Sequence, residues 1–489
     1  MTVATYLSRL LRNHRLPSAS IYAAKQAHAQ LLINGLLSHA TLQTDLLLLY
    51  SKCSLSLHVR QVFDQMLHPN MHSWNILFDS YLRNSLYDDA LTTFSDFLKQ
   101  GLLPDHFTLP QLFKACAGLS RINLGRSLQG WVICLGFEDY IVVGNSVLDF
   151  YMKCGKPFDA WRVFRSMSCK DTAVWNSMIS GLGRAGLFMD ALICFRSMLE
   201  EGVNTDCMTM PAILSACGHD GQLMQGKEIH GQIIKCWKYQ DDIAIGNSLI
   251  DMYSKCGCLN HSEKVFANMS ELNIVSWTTM MSCYGSHGKG HESLEIFKNM
   301  KDVGFKPNCV TLTALLASCS HAGLINEGRN VFHSIICKYR FEPRVEHFTC
   351  MVDLLGRCGH IEEAFQLIKD KVSMASAWGA LLAGCMMHKN IEIGKIAAHH
   401  LFELEPKNSS NYIALCTIYK SLSMQKEYSE TRAKMRELRL AKSPGCSWIN
   451  IDGEIHKFYQ GDLSHPLANM IYEVIDGMTT TLMMPRNDD

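Results

Sequence analysis

No apolar run in this chain approaches the roughly 20 residues needed to cross a bilayer, which excludes a helical membrane span. No acidic residue precedes Asp45, while Arg9, Arg12, Arg15 and Lys25 lie among Leu, Ser and Ala. An Arg-bearing, acid-free stretch of this kind has the profile of an organelle transit segment, expected over residues 1–25. It overlaps a degenerate first hairpin, because KQAHAQLL from Lys25 resembles GKEIHGQII from Gly226. Proline is scarce, at 12 in 489 residues, and no low-complexity linker divides the chain. There is no net charge: 46 basic residues face 46 acidic ones. That balance argues against nucleic-acid binding driven by bulk charge. The 20 cysteines contain no C-x-x-C, and Cys256 and Cys258 are too close for the usual zinc-ligand spacing. They are expected to be small packing residues. No phosphate-cradling glycine loop and no catalytic triad pattern occurs, so no cofactor, metal or catalytic residue is expected.

The chain is instead rich in repetition. Trp74-Asn75 returns as Trp175-Asn176 and, altered, as Trp277-Thr278; Trp378 follows, with tryptophan gaps of 101, 102 and 101. Whole segments recur around each Trp. In the first copy Trp74, Leu77, Phe78 and Tyr81 are apolar; Trp175, Met178, Ile179 and Leu182 match them, as do Trp277, Met280, Met281 and Tyr284. This i, i+3, i+4, i+7 spacing is one buried stripe of a helix. A second stripe of Ala90, Leu91, Phe94 and Phe97 is echoed by Ala191, Leu192, Phe195 and Met198. LLLLYSKC, VLDFYMKC and LIDMYSKC end at Cys53, Cys154 and Cys256; FKAC, LSAC and LASC end at Cys116, Cys217 and Cys319. Each period thus holds three hairpins, roughly 35, 36 and 31 residues long. So small a hairpin cannot bury its apolar face alone, and stacking predicts an all-α, right-handed superhelical solenoid of tandem helical hairpins with a concave groove.

On these strings the chain resembles plant pentatricopeptide repeat proteins of the PLS subclass, in which P-, L- and S-type hairpins alternate. The array is read as 26–374. WGALLAGCMMHKNIEIGKIAAHHLFELEPKNSSNYIALCTIY, from Trp378, is similar to the two TPR-like E motifs (375–443), and PGCSWINIDGEIHKFYQGDLSHP, from Pro444, to the PG box and a partial E+ segment (444–489). Longer members continue into a cytidine deaminase domain with H-x-E and C-x-x-C motifs. Here the H-x-E at His261-Ser262-Glu263 falls in the second helix of an S repeat without zinc partners. The resemblance implies a protein that is not itself an enzyme.

It also implies a reading mechanism, one RNA base per repeat. The fifth residue, one after the Trp, faces the groove, and the last residue lies in the connecting loop. The pairs are Thr44 with Asn70, Asn75 with Asp105, Asn145 with Asp171, Asn176 with Asp206, Asn247 with Asn273, and Thr278 with Asn308. An ionised Asp only accepts hydrogen bonds and suits uracil or guanine, whereas Asn donates and accepts and suits cytosine or adenine. In the family code Thr at the fifth place goes with purines and Asn with pyrimidines, giving A, U, U, U, C, A. Val142, Ala173 and Val275 would sandwich the bases. Pro110 and Pro211 in the L repeats offer no side-chain donor or acceptor, and Thr313 and Thr349 have uncertain last residues. The expected target is 5′-AUNUUNCANN-NNN-C, with the final cytidine edited to uridine. The implied partners are single-stranded organelle RNA and deaminase-bearing editing proteins docking on the E and E+ segments, with the mitochondrion favoured over the plastid. An RNA splicing or stability factor and a TPR-like protein scaffold are the alternatives.

Overall fold

The computed structural model describes residues 21–36, 39–440, 446–451, 454–459 and 463–483. Most of the expected transit segment and the Pro444-Gly445 dipeptide lie outside these residues. The chain forms two compact units, one through Cys283 and one from Tyr284. Each is a run of helical hairpins, as the periodicity predicts.

In the first unit the opening helices of successive hairpins pack on one another: Ala40–Lys52, Met71–Arg83, Thr108–Gly118, Ile141–Lys153, Thr172–Arg184, Thr209–Asp220 and Ile243–Lys255 form one continuous layer. The second helices, such as Tyr87–Lys99 and Pro157–Ser166, pack on first helices. The tryptophans hold the two layers together. Trp74 is 2% and Trp175 1% exposed. Each meets a phenylalanine of the preceding hairpin edge-on: Phe63 at 4.6 Å from Trp74, Phe164 at 4.8 Å from Trp175, Phe266 at 5.2 Å from Trp277. Truncating such a residue to alanine costs about 3–5 kcal/mol. The second unit repeats the scheme, with Trp378 wholly buried and stacked on His400 at 4.3 Å. The E region is two further hairpins, Ala375–His388 with Ile391–Leu404 and Ser409–Ser421 with Gln425–Glu437.

Most cysteines are buried or partly buried, as expected, whereas Cys134, Cys169 and Cys337 are exposed. Cys116, Cys217, Cys319 and Cys385 are buried, and burial pushes each thiol up to about 12, so they are inert as nucleophiles. His261 of the H-x-E stacks on Tyr253 at 5.0 Å, a packing role.

The all-α array is followed by one small sheet. Cys446–Ile451 and Glu454–Tyr459 form an antiparallel two-stranded sheet, with Trp448 opposite Lys457 and Ile449 opposite His456. In the sequence Asp452-Gly453 lies between them, a strong hairpin signal that the helical periodicity upstream overshadowed. The helix Ala468–Met483 follows.

Candidate nucleic-acid interface

Each fifth residue sits in the first turns of a first helix, and each last residue caps or precedes the next one. The structure joins two of the expected pairs directly. Asn75 Nδ2 lies 3.4 Å from both carboxylate oxygens of Asp105. Thr108 Oγ1 is 2.8 Å from both Asn75 Oδ1 and Asp105 Oδ1, and Asp105 Oδ1 accepts from the backbone N–H groups of Phe107 and Thr108 at 3.0 and 2.7 Å. One period later Asn176 Nδ2 donates to Asp206 Oδ1 at 2.9 Å. Thr209 Oγ1 is 2.7 Å from Asn176 Oδ1, and Met208 and Thr209 donate backbone N–H bonds to Asp206, each at 2.9 Å. Burial alone would raise both carboxyls. The hydrogen bonds from threonine, asparagine and backbone outweigh it and hold Asp105 and Asp206 below the ordinary carboxylate range. Both therefore present a fixed, ionised acceptor.

Thr44 and Asn70 are joined less directly. Asn70 accepts from the Ser73 N–H and hydroxyl at 2.9 and 3.0 Å, and Ser73 Oγ lies 3.4 Å from Thr44 Oγ1. Asp171 accepts from the Val174 N–H at 3.0 Å, but Val174 has no hydroxyl, and Asn145 Oδ1 is buried without a partner. Asn273 accepts from Val275 and Ser276 N–H at 2.9 and 3.0 Å; Asn247 Oδ1 is likewise buried and unpartnered. Thr278 donates to the Ile274 carbonyl at 2.7 Å. In the second unit Asn308 accepts from the Thr311 N–H at 2.9 Å.

Two expectations change here. Thr44, Asn75 and Asn247 are only 8%, 9% and 8% exposed. They do not stand free in a groove but are buried in the array; a hydroxyl of the next first helix, Ser73 or Thr108, meets Thr44 and Asn75. The last residues are not loose loop residues either. Asn70, Asp171 and Asn308 are helix N-caps, a position that favours Asp and Asn for backbone reasons alone.

In the first unit the second residues of several repeats are exposed apolar side chains, Val142, Val275, Phe107 and Met208 being 53–72% exposed; in the second unit Val310 is 63% exposed. Val142, Val275 and the exposed Ala173 were expected; the L-repeat members Phe107, Met208 and Val310 were not. A file of cations was missed entirely. Eight residues after the fifth position stand Lys52, Arg83, Lys153, Arg184, Lys255 and Arg357. Most are tied to acids: Arg83 to Asp79 at 2.6 Å, Lys153 to Asp149 at 2.6 Å, Lys255 to Asp251 at 2.7 Å, Arg357 to Asp353 at 2.8 Å. Three of them, Lys52, Lys153 and Lys255, stand directly before the cysteine in the recurring strings that end YSKC and YMKC.

Comparison with known proteins agrees with this architecture. PPR repeat models match residues 69–118, 145–171, 173–203, 247–274, 272–321, 310–338 and 346–374, and an E motif model matches 388–450. A mitochondrial pentatricopeptide repeat-containing protein of Arabidopsis thaliana is 35% identical over 474 residues, 95% of this chain and 72% of the relative. The chain belongs to the pentatricopeptide repeat family. A chloroplastic Arabidopsis thaliana member is 36% identical over 465 residues, 94% of this chain and 54% of that protein. The chain spans about half the length of the first curated relatives it matches. Among solved structures, PPR10 in complex with an 18-nt psaJ RNA element aligns with a TM-score of 0.64 at 16% identity, over 90% of this chain and 65% of that one. At that identity the likeness concerns fold. Maize PPR10 aligns with a TM-score of 0.55 at 17% identity, over 89% of this chain and 69% of that one.

Proposed function

We propose that this chain is a sequence-specific single-stranded RNA-binding protein that marks sites for C-to-U editing of organelle transcripts. It holds the RNA and recruits a deaminase in trans through its E and E+ segments, doing no chemistry itself. The observation that carries the reading is the twice-repeated Asn–Asp–Thr cluster at Asn75–Asp105–Thr108 and Asn176–Asp206–Thr209. Its ionised carboxylate meets the N3–H of uracil, and the second Asn N–H meets a uracil carbonyl. The exposed apolar second residues sandwich each base, and the file of lysines and arginines meets the phosphates. The E motif favours editing over splicing or transcript stabilisation. Curated relatives carry both chloroplastic and mitochondrial names, and the acid-free N-terminal stretch supports an organelle address, of which we take the mitochondrion.

The direct test is a gel shift with 5′-AUNUUNCANN-NNN-C against the same RNA with its U and A positions exchanged. Preference for the first RNA by tenfold or more is expected; equal binding sinks the base assignment. Sequencing organelle cDNA from loss-of-function plants then separates editing, where a few cytidines stay unconverted, from splicing or stability, where transcript structure or level changes.

A further inference from the structure

The junctions between L and S hairpins recur, and what differs among them is informative. In each of the first three, a side chain of the L repeat's second helix meets a tyrosine of the S repeat's first helix: His28 with Tyr50 at 2.9 Å, Gln129 with Tyr151 at 2.6 Å, His230 with Tyr253 at 2.8 Å. Eight residues after the tyrosine stand His58, Asp159 and His261. The fold thus tolerates neutral and charged groups here equally, so packing does not dictate which is used.

The middle junction departs from the others in charge. Arg126, Arg162 and Arg165 converge with Gln129, Tyr151 and Asp159 on an open cleft of about 740 Å³. Asp159 is the one carboxylate lining it, 3.3 Å from Arg126 and 4.0 Å from Arg162. Among the described residues no carboxylate pairs with Arg165, which lies over the Trp161 ring at 5.3 Å. Three guanidinium groups against one carboxylate leave the cleft with a charge of +2. At the corresponding places the next junction carries Lys264 and Ala267, and its pocket also holds Asp241, Asp242 and Glu271. In the second unit Arg329 is closed off by a two-pronged pair with Glu363. Among the described residues of these junctions, the middle one presents arginines with donors to spare.

We infer that this cleft is a docking site for an acidic segment of a protein partner, its carboxylates gripped by the forked donors of Arg126, Arg162 and Arg165. RNA is the less fitting occupant. Tyr151 follows Asn145 by six residues on one helix, which turns it about 120° away from the base-reading column. Arg162 and Arg165 lie on the second helix of their hairpin, in the layer that does not carry the reading pairs. The site rests on the RNA-binding reading only in that it leaves the reading face free, so both ligands are held at once.

The test uses the full chain, a fluorescein-labelled oligoglutamate and the target RNA. Arg162→Glu with Arg165→Glu is expected to weaken oligoglutamate binding at least tenfold and to leave RNA affinity within twofold. Arg184→Glu, in the phosphate file, is expected to do the reverse. Saturating RNA should not displace the peptide. Unchanged peptide binding in the double variant, with circular dichroism showing intact helices, overturns the site; so does displacement by RNA or a parallel loss of RNA affinity, which would make the cleft an RNA backbone contact. Absence of RNA binding by the unaltered chain would instead overturn the reading above and leave the peptide result to stand alone.

Discussion

Asp206 shows how far one residue serves two ends. Its carboxylate holds the start of the next helix and aims Asn176, so removing it loses both functions. Asp206→Asn separates them: the amide oxygen still accepts the Met208 and Thr209 N–H bonds, but the group gains donors. We expect its preference at that base to move from U toward C with a stability loss under about 1 kcal/mol, whereas Asp206→Ala loses about 1–2 kcal/mol and base preference together. Binding to RNAs varying only that base, beside thermal melts, decides it; an Asn variant that still prefers U refutes the pairing. Acid titration gives a second check. The folded-state pKa of Asp105 and of Asp206 is depressed, so their stabilisation is complete above the unfolded value of about 3.9 and is lost as pH falls through the folded one. Uracil preference should therefore stay flat from about pH 8 to 5; a midpoint near 6 would mean that another group carries it. Asn145 is the counter-example. Its partner position holds Val174, fully buried, where Thr108 and Thr209 stand in the other copies. Val174→Thr should cost less than about 0.5 kcal/mol, against the 1–3 typical of burying an unpaired hydroxyl, because the new hydroxyl satisfies Asn145 Oδ1. A loss near 2 kcal/mol would show that the two do not meet.

At the scale of the element, the hairpins were legible because a 3.6-residue stripe survives every substitution that keeps it apolar. The register followed from the tryptophans. What sequence could not give was the tertiary hydroxyl that pulls Asn75 and Asn176 inward, since Thr108 and Thr209 lie 33 residues downstream. Nor did a helical period reveal the strands at Cys446–Ile451 and Glu454–Tyr459. The turn between paired helices carries a further lesson. One of its residues is left-handed in every copy: Ser54, Gly155, Gly257 and Gly359 in one series, Ser85, Gly186 and Gly288 in another, Ser120, Gly221 and Gly323 in the third. The first copy pays a steric cost there that later copies avoid. Replacing Ser54, Ser85 and Ser120 by glycine should each stabilise the first unit by roughly 0.5–1 kcal/mol, the penalty for a side chain in that conformation less the extra unfolded-state entropy of glycine. Chemical denaturation of the triple variant should show a gain of about 2 kcal/mol, and no gain would mean that the serines are otherwise compensated.

At the scale of the whole molecule, exact charge balance argued against indiscriminate nucleic-acid binding, and the structure supplies a local cause. Arg83, Lys153 and Lys255 are each held by an acid four residues earlier on the same helix, Asp79, Asp149 and Asp251. Exposed pairs of this type add little to stability, about 0.3–0.5 kcal/mol each. Their larger effect falls on binding, because a phosphate must compete with a carboxylate already in place. RNA whose bases do not fit then gains too little to displace the acids, whereas a fitted RNA adds base contacts to the sum. Converting Asp79, Asp149 and Asp251 together to asparagine frees three cations at nearly constant shape. Affinity for both the target and the exchanged RNA should rise, more for the exchanged one, so that discrimination falls several-fold. The dependence of log K on log salt should steepen by up to about 2, from three further phosphate contacts at roughly 0.7 each on a single strand. Filter binding at two or more salt concentrations measures both quantities. If the variant gains no affinity, the file of cations does not face the phosphates, and the neutral balance of the chain has no part in its selectivity.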